Sequence, residues 1–210
     1  MSRNPDRLNE YRAKRDFSRT PEPAPKRPAK ATRKLAYLIQ RHAARQLHYD
    51  FRLEHDGALL SWAVPKGPSY DPADKRLAVR TEDHPLEYGK FEGTIPAGAY
   101  GAGTVMLWDR GTWRPHGDVE EGLAKGKLAF EVLGERLKGM WALVRLRGRG
   151  RDKGRENWLL IKERDEYAHV EKKPLVDRAL RSVKTGRTMR EIAANKAGKK
   201  PARKKASARR

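Results

Sequence analysis

Seven short runs of alternating or wholly apolar residues, each cut off by glycine or proline, fill most of the chain between Leu35 and Lys162. Side chains of a strand point alternately to its two faces, and runs this short and this often interrupted cannot build long helices. The pattern predicts strands over Leu47–His55, Ala58–Val64, Leu77–Glu82, Gly103–Asp109, Lys127–Leu133, Met140–Leu146 and Trp158–Lys162. Such strands pack as an antiparallel sandwich or barrel. His55-Asp56-Gly57 supplies a tight turn between the first two, and one helix, Val119–Lys125, is expected with Asp118 as its cap and Gly126 just past its end. The tryptophans at 62, 108, 113, 141 and 158 fall in or beside these runs and are expected in the core, not as base-stacking platforms.

The net charge of +21 on 210 residues points to a polyanionic partner, but its distribution says more. Residues 1–33 carry 10 basic and 4 acidic groups, residues 34–175 carry 25 and 21, and residues 176–210 carry 13 and 2. The ends are therefore basic appendages and the middle is nearly balanced, so any chemical specificity must reside in the middle. Residues 1–33 read as an arm, with a short helix between Leu8 and Phe17 and an extended Thr20-Pro21-Glu22-Pro23-Ala24-Pro25 segment that docks partly on the core. Residues 34–187 read as the folded domain and 188–210 as a basic tail or linker adding phosphate affinity. Within that frame helices are expected over Leu175–Val183 and Met189–Lys196, and Arg147–Arg155 reads as a basic hairpin tip. Cysteine is absent, which excludes disulfides, zinc ribbons and thiol catalysis. No run of about 18 apolar residues and no signal-like start is present, so the expectation is a soluble, cytosolic protein with no membrane partner.

The first predicted strand carries the chemistry. In Leu47-His48-Tyr49-Asp50-Phe51-Arg52-Leu53 the apolar residues share one face and His48, Asp50 and Arg52 the other. With His42 upstream, two imidazoles and a carboxylate form a ligand set that leaves positions open for water and a substrate oxygen, and suits zinc, manganese, iron or cobalt. The competing reading is a plain hydrogen bond between His48 and Asp50 on a solvated face. On a second run, Arg76, Ala78, Arg80, Glu82 and His84 share one parity. His84, before Pro85, is placed to bind phosphate or donate a proton, or else is a half-exposed residue beside a turn. Arg52, Lys66 and Arg76 together would clamp a phosphoryl group, although each alone could be a surface cation. Tyr88 offers a hydroxyl or simply a packed ring. The glycines of 93–103 match no nucleotide-binding spacing and read as turns and bulges, and no serine elbow is present.

These residues fall into a recognisable order. Arg41-His42-Ala43-Ala44-Arg45-Gln46-Leu47-His48-Tyr49-Asp50-Phe51-Arg52-Leu53, Ser61-Trp62-Ala63-Val64-Pro65-Lys66-Gly67-Pro68, Glu82-Asp83-His84-Pro85-Leu86-Glu87-Tyr88, Phe91-Glu92-Gly93-Thr94-Ile95-Pro96 and Tyr100-Gly101-Ala102-Gly103 resemble the 3′-phosphoesterase domain of bacterial DNA ligase D, over about residues 8–187. The resemblance implies a mainly β fold, a compact antiparallel β-barrel with a few short flanking helices. It implies a manganese-dependent enzyme that removes a 3′-terminal ribonucleoside from a primer-template and then the remaining 3′-phosphate, healing DNA 3′ ends in non-homologous end joining.

Carried over by motif, His42, His48 and Asp50 would hold the metal, Arg52, Lys66, Arg76 and His84 would surround the phosphate, and Glu82 and Tyr88 would complete the pocket. The arm's Arg15, Asp16 and Glu22 would approach the substrate. The resemblance also implies a bacterial cytosolic setting, a monomer, and ligase or Ku as partners, in a stand-alone protein or an isolated module. The rival readings are a non-catalytic basic DNA-binding module and a metal phosphodiesterase acting on RNA ends.

Overall fold

The computed structural model describes residues 6–25, 34–147 and 156–197. Among the described residues there are nine strands: β1 (Leu35–Ala43), β2 (Leu47–His55), β3 (Ala58–Val64), β4 (Arg76–Pro85), β5 (Gly93–Ile95), β6 (Gly103–His116), β7 (Lys127–Gly134), β8 (Lys138–Arg145) and β9 (Asn157–Lys162). Every pairing is antiparallel, in the order β1-β2-β3-β4-β9-β8-β7-β6, and pairing of β1 with β6 closes the barrel while β5 adds to β6 outside it. The mainly β expectation is met, and of sandwich and barrel the chain adopts the barrel. Closure leaves the eight barrel strands without a free edge.

Two of the expected strands and the helix occur with the expected bounds, because their signals are local. The β2–β3 hairpin turns at Asp56 and Gly57, both at positive φ (48° and 76°), as a two-residue turn requires. Asp118 accepts from the Glu121 N–H at 2.8 Å to cap α2 (Val119–Lys125), and Gly126 ends it at φ 76°. The other strands run one to seven residues beyond their expected ends or begin nearby, and β1 and β5 are additional. The β8–β9 hairpin tip lies mostly outside the described residues.

Alternation sorts the inner face from the outer. Tyr37, Ile39, Tyr49, Phe51, Leu60, Trp62 and Ala78 point into a core shared with Trp108, Trp113, Phe130, Trp141 and Trp158, so all five tryptophans are buried inside. Leu38 and Leu59 point outward, where they pack with Tyr11, Tyr88 and Leu107 in a second cluster. That outer cluster attaches the arm, whose helix α1 is Asn9–Ala13, shorter than expected.

The long strand β6 pairs with β1 up to Trp113 and with β7 from Gly111, and Gly111 is the first residue that touches both. A Cβ there would sit 2.1 Å from the Leu133 carbonyl oxygen and 2.6 Å from the Gly134 Cα, both backbone atoms. Gly111→Ala is therefore expected to destabilise the barrel by about 2–3 kcal/mol. A urea midpoint lowered to match checks this, and an unchanged midpoint would mean that the strands separate freely at this corner.

The C-terminal residues cover one side of the core. Val176 of α3 (Leu175–Arg178) and Ile192 of α4 (Met189–Ala193) are buried, and the Trp108 indole N–H donates to the Ala179 carbonyl at 2.7 Å. Thr188 and Glu191 form a reciprocal capping box at the start of α4. The helix expected over Met189–Lys196 is present as Met189–Ala193 and buries Ile192. The Lys- and Arg-rich residues 198–210 lie outside the described part. No helix among the described residues is long and apolar enough to cross a membrane.

Candidate metal and phosphoryl site

The site lies on the outer face of β1–β4. The β1–β2 register sets His42 opposite His48, Gln40 opposite Asp50 and Leu38 opposite Arg52. Directly opposed residues share a face with Cβ atoms about 5 Å apart, so His42 joins the polar row of β2 through the fold and not through the local sequence. The ligand atoms of His42, His48 and Asp50 lie within 4.8 Å of one another. His42 Nδ1 is 3.5 Å from one Asp50 oxygen and His48 Nε2 is 3.6 Å from the other.

The hydrogen bonds at the far side of each ring define what the near side offers. His42 Nε2–H donates to the Gly101 carbonyl and His48 Nδ1–H to the Gln46 carbonyl, both at 3.0 Å. A carbonyl can only accept, so in the neutral imidazoles that ligate metals the remaining nitrogens, Nδ1 of His42 and Nε2 of His48, present lone pairs toward the Asp50 carboxylate. Distances of 3.5–3.6 Å are too long for hydrogen bonds to that carboxylate. Two lone pairs and a carboxylate pointed at one another repel unless a cation lies between them, and backbone carbonyls behind ligating imidazoles are the usual second layer of a metal centre. The donor set therefore fits a divalent transition metal, which favours the ligand reading over the simple His–Asp hydrogen bond.

Arg52 is 2% exposed and fully oriented. Its Nε donates to Gln40 Oε1 at 2.8 Å, Nη1 to Ser61 Oγ at 2.7 Å, and Nη2 lies 3.3 Å from Asp50. Gln40 is in turn held by the carbonyls of Tyr88 and Phe91, and the guanidinium lies 4.9 Å over the Tyr88 ring. Tyr88 is thus the packed ring of the two readings. Burial alone would raise the Asp50 pKa, but the Arg52 charge beside it holds the carboxyl well below the usual carboxylate range.

A β-bulge decides the second wall. Ser61 pairs with Thr81 but Leu59 pairs with His84, so β4 carries one residue more than β3 over this stretch. The extra residue reverses the parity. Arg76 and Arg80 share the core-facing side with Ala78, while Thr81 and His84 face outward to the site, so the single polar row expected from Arg76 to His84 is broken in two. Arg76 pairs with Asp74 at 2.7 Å, and Lys66 stands exposed in the turn after β3; neither lines the pocket. The expected clamp of Arg52, Lys66 and Arg76 is replaced in this structure by Arg52 and the arm's Arg15.

The arm forms the roof. Tyr11, fully buried, lies edge-on to His84 and Tyr88 and donates its hydroxyl to the Pro23 carbonyl at 2.9 Å. Arg15 stacks 3.9 Å over Tyr11, pairs with Glu22 at 2.9 Å and with Glu82 at 3.1 Å, and places Nη2 3.3 Å from His84 Nε2. Asp16 turns away into a neighbouring groove and accepts from the Ser18 N–H and hydroxyl. The resulting pocket is about 190 Å³ and is lined by Arg15, Glu22, His42, His48, Asp50, Arg52, Glu82, His84, Tyr88 and Tyr100, among others. That is below the roughly 300–1,000 Å³ of a drug-sized site and suits a single phosphoryl-sized group. Of these residues Tyr100 was not expected, nor were Gln40, Ser61 and Gly101 as orienting partners. The alternation of Leu38, Gln40 and His42 in β1 is the signal that points to Gln40.

His84 is buried, and its Nδ1–H donates to the Glu82 carbonyl at 2.9 Å, leaving Nε2 as an acceptor for Arg15. Burial, then Arg52 and Arg15, push its pKa well below the ordinary 6.5. The ring is therefore neutral at pH 7 and the residue is an acceptor, not the half-exposed imidazole of the bland reading. On acidification the unfolded chain gains a proton here that the folded chain does not, so this contribution to stability is full above 6.5 and is lost as pH falls below it. His84→Gln is expected to flatten the urea midpoint between roughly pH 6.5 and pH 5, where carboxylates contribute little. A slope equal to that of the wild type over this range would show that His84 is protonated in the fold.

A model of the DNA ligase D 3′-phosphoesterase domain matches residues 40–145. The chain is 56% identical over 162 residues to the multifunctional non-homologous end joining protein LigD of Pseudomonas aeruginosa, covering 77% of this chain and 19% of that protein. It is 43% identical over 167 residues to the protein of the same name from Mycolicibacterium smegmatis, covering 77% and 21%. It is 47% identical over 146 residues to the LigD protein of Mycobacterium tuberculosis, covering 68% and 19%. The chain thus spans about a fifth of the length of the curated relatives it matches.

Proposed function

This chain belongs to the DNA ligase D 3′-phosphoesterase domain family, and on that premise we propose that it is a manganese-dependent enzyme that heals DNA 3′ ends in non-homologous end joining. It removes a 3′-terminal ribonucleoside and then the exposed 3′-phosphate, leaving a 3′-hydroxyl. The observation that carries this reading is the convergence of two imidazole lone pairs on Asp50 beside a buried, pre-oriented Arg52 in a phosphoryl-sized pocket.

Charge supports it. Asp50, Glu22 and Glu82 face Arg15 and Arg52, with Lys14 bonded to Glu82 at the rim, so carboxylates and cations balance. A balanced pocket has no net attraction for a phosphate. A divalent metal held by His42, His48 and Asp50 would add two positive charges and polarise a phosphoryl oxygen. Arg52, held by Asp50, Gln40 and Ser61, meets the charge that develops on the phosphoryl oxygens without reorganising, and Arg15 reinforces it from the arm. His84 Nε2, which accepts from Arg15, would take a proton from a hydroxyl or water once Arg15 turns its donor to the phosphoryl oxygens. The anionic phosphoryl group beside it then raises its proton affinity, so the same nitrogen can return the proton to the departing oxygen.

The test uses two primer-templates, one ending in a 3′-phosphate and one in a single 3′-ribonucleotide. With manganese the phosphate-ended primer is expected to become extendable by a polymerase and the ribonucleotide-ended primer to be shortened by one nucleotide, and a chelator is expected to stop both. Activity retained in the chelator would sink the metal mechanism, and binding without any conversion would favour a non-catalytic module. Cleavage of RNA ends at the same rate as the primer-template would favour the RNA-end reading.

A further inference from the structure

The loop between β5 and β6 does more than supply the Gly101 carbonyl behind His42. It presents Tyr100, which is 48% exposed although it is a large aromatic residue. Tyr100 stands between the phosphoryl pocket and a second groove of about 230 Å³, formed by Lys14, Asp16, Arg19 and Thr20 of the arm and the Pro96–Ala99 side of the loop. Its polar tip is tethered: the hydroxyl donates to Glu82 at 3.3 Å and accepts from Lys14 at 3.3 Å. Lys14 and Arg15 lie 5.0 and 5.2 Å from the ring centroid. Both cations lie over the ring, and the half of the residue left exposed is an aromatic surface beside a phosphoryl-sized pocket, the form of a stacking platform for a base.

A phosphodiester has a substituent on each side of its phosphorus. The retained strand brings a further phosphate with every nucleotide, whereas a terminal nucleoside brings none beyond the scissile one and ends in sugar hydroxyls. The second groove is small, and it offers the Asp16 oxygen that Ser18 does not hold, while the Thr20 hydroxyl is spent on Glu22. That carboxylate suits sugar hydroxyls, and with Lys14, Arg15 and Arg19 set against Asp16 and Glu22 the groove is close to charge balance and is not a dedicated phosphate track. We infer that this groove is the subsite for the departing nucleoside and that Tyr100 stacks on its base, so that Tyr100 serves diester cleavage and not hydrolysis of the terminal phosphate. This rests on the phosphoesterase function proposed above.

The experiment compares kcat/KM on the ribonucleotide-ended and phosphate-ended primer-templates for the wild type, Tyr100→Ala and Tyr100→Phe, with manganese present. A wild type that converts neither substrate would overturn the phosphoesterase function and this subsite with it. With both converted, Tyr100→Ala is expected to lower the diester-to-monoester ratio about tenfold, the size of one base–aromatic contact, chiefly through KM, and Tyr100→Phe to restore the ratio. A third primer ending in an abasic ribose gives an independent measure that needs no variant. The wild type is expected to lose the same factor on it, and Tyr100→Ala to be indifferent to the missing base. An unchanged ratio in Tyr100→Ala, a loss in Tyr100→Phe as large as in Tyr100→Ala, or full wild-type activity on the abasic end would each overturn the subsite.

Discussion

Asp50→Ala is expected to abolish both conversions at the 3′ end, a loss on the order of a thousandfold or more, and to abolish specific manganese binding. One carboxylate here serves three neighbours: it faces the lone pairs of His42 and His48 and it neutralises buried Arg52. Its removal leaves two neutral imidazoles as the only protein donors and an arginine without a counter-charge. An uncompensated buried charge costs roughly 3–5 kcal/mol, so the variant should also melt early unless an anion enters the pocket. Asp50→Asn separates the effects, because it keeps the shape and loses the charge. It should bind manganese as poorly as Asp50→Ala in calorimetry, and it should be inactive. Either variant turning over a 3′-phosphate at the wild-type rate would remove Asp50 from the chemistry.

Arg52→Lys is the second large effect. Lysine keeps the charge but not the fork that reaches Asp50, Gln40 and Ser61 at once. A rotating ammonium on a shorter reach must reorganise as charge develops on the phosphoryl group. The expected loss is about a hundredfold in kcat, with a small change in KM and a lowered melting temperature. Arg52→Ala should be worse in both respects, since it leaves Asp50 buried without its partner and strips Gln40 Oε1 of its donor. Manganese is expected to restore part of the melting temperature of Arg52→Ala, because the metal replaces the missing positive charge on Asp50. If Arg52→Lys retained full kcat, phosphate recognition would have to be assigned to Arg15 alone.

Much of the barrel could be read in advance because its signals act over a few residues. The Asp56-Gly57 turn, the Asp118 cap and the period-two runs of β2 and β3 each follow from the preferences of neighbours in the chain. Strand β1 was harder to see: Leu38, Gln40 and His42 face the outer cluster and the site, while Tyr37 and Ile39 face the core, so both faces are buried and the polar–apolar contrast is weak. In β4 the alternation was read correctly residue by residue, yet the bulge opposite Leu59–Ser61 moved Arg76 to the other face from His84. Nothing in a parity count announces an extra residue, since the bulge is defined by the partner strand.

By itself, then, the sequence determined seven of the nine described strands, the β2–β3 turn, the buried tryptophans and the chemical identity of the polar face at His48, Asp50 and Arg52, and its motifs identified the family. Those properties depend on side-chain alternation and local backbone preference. Tertiary structure alone decided which distant groups meet that face: His42 through the β1–β2 register, Arg15 and Glu22 through docking of the arm, Gly101 and Tyr100 through the β5–β6 loop. It also decided that Lys66 and Arg76 lie outside the pocket and that His84 is neutral. The physical reason is that contacts between strands, burial and the field of neighbouring charges are set by chain segments far apart in sequence, and they exist only once the barrel closes.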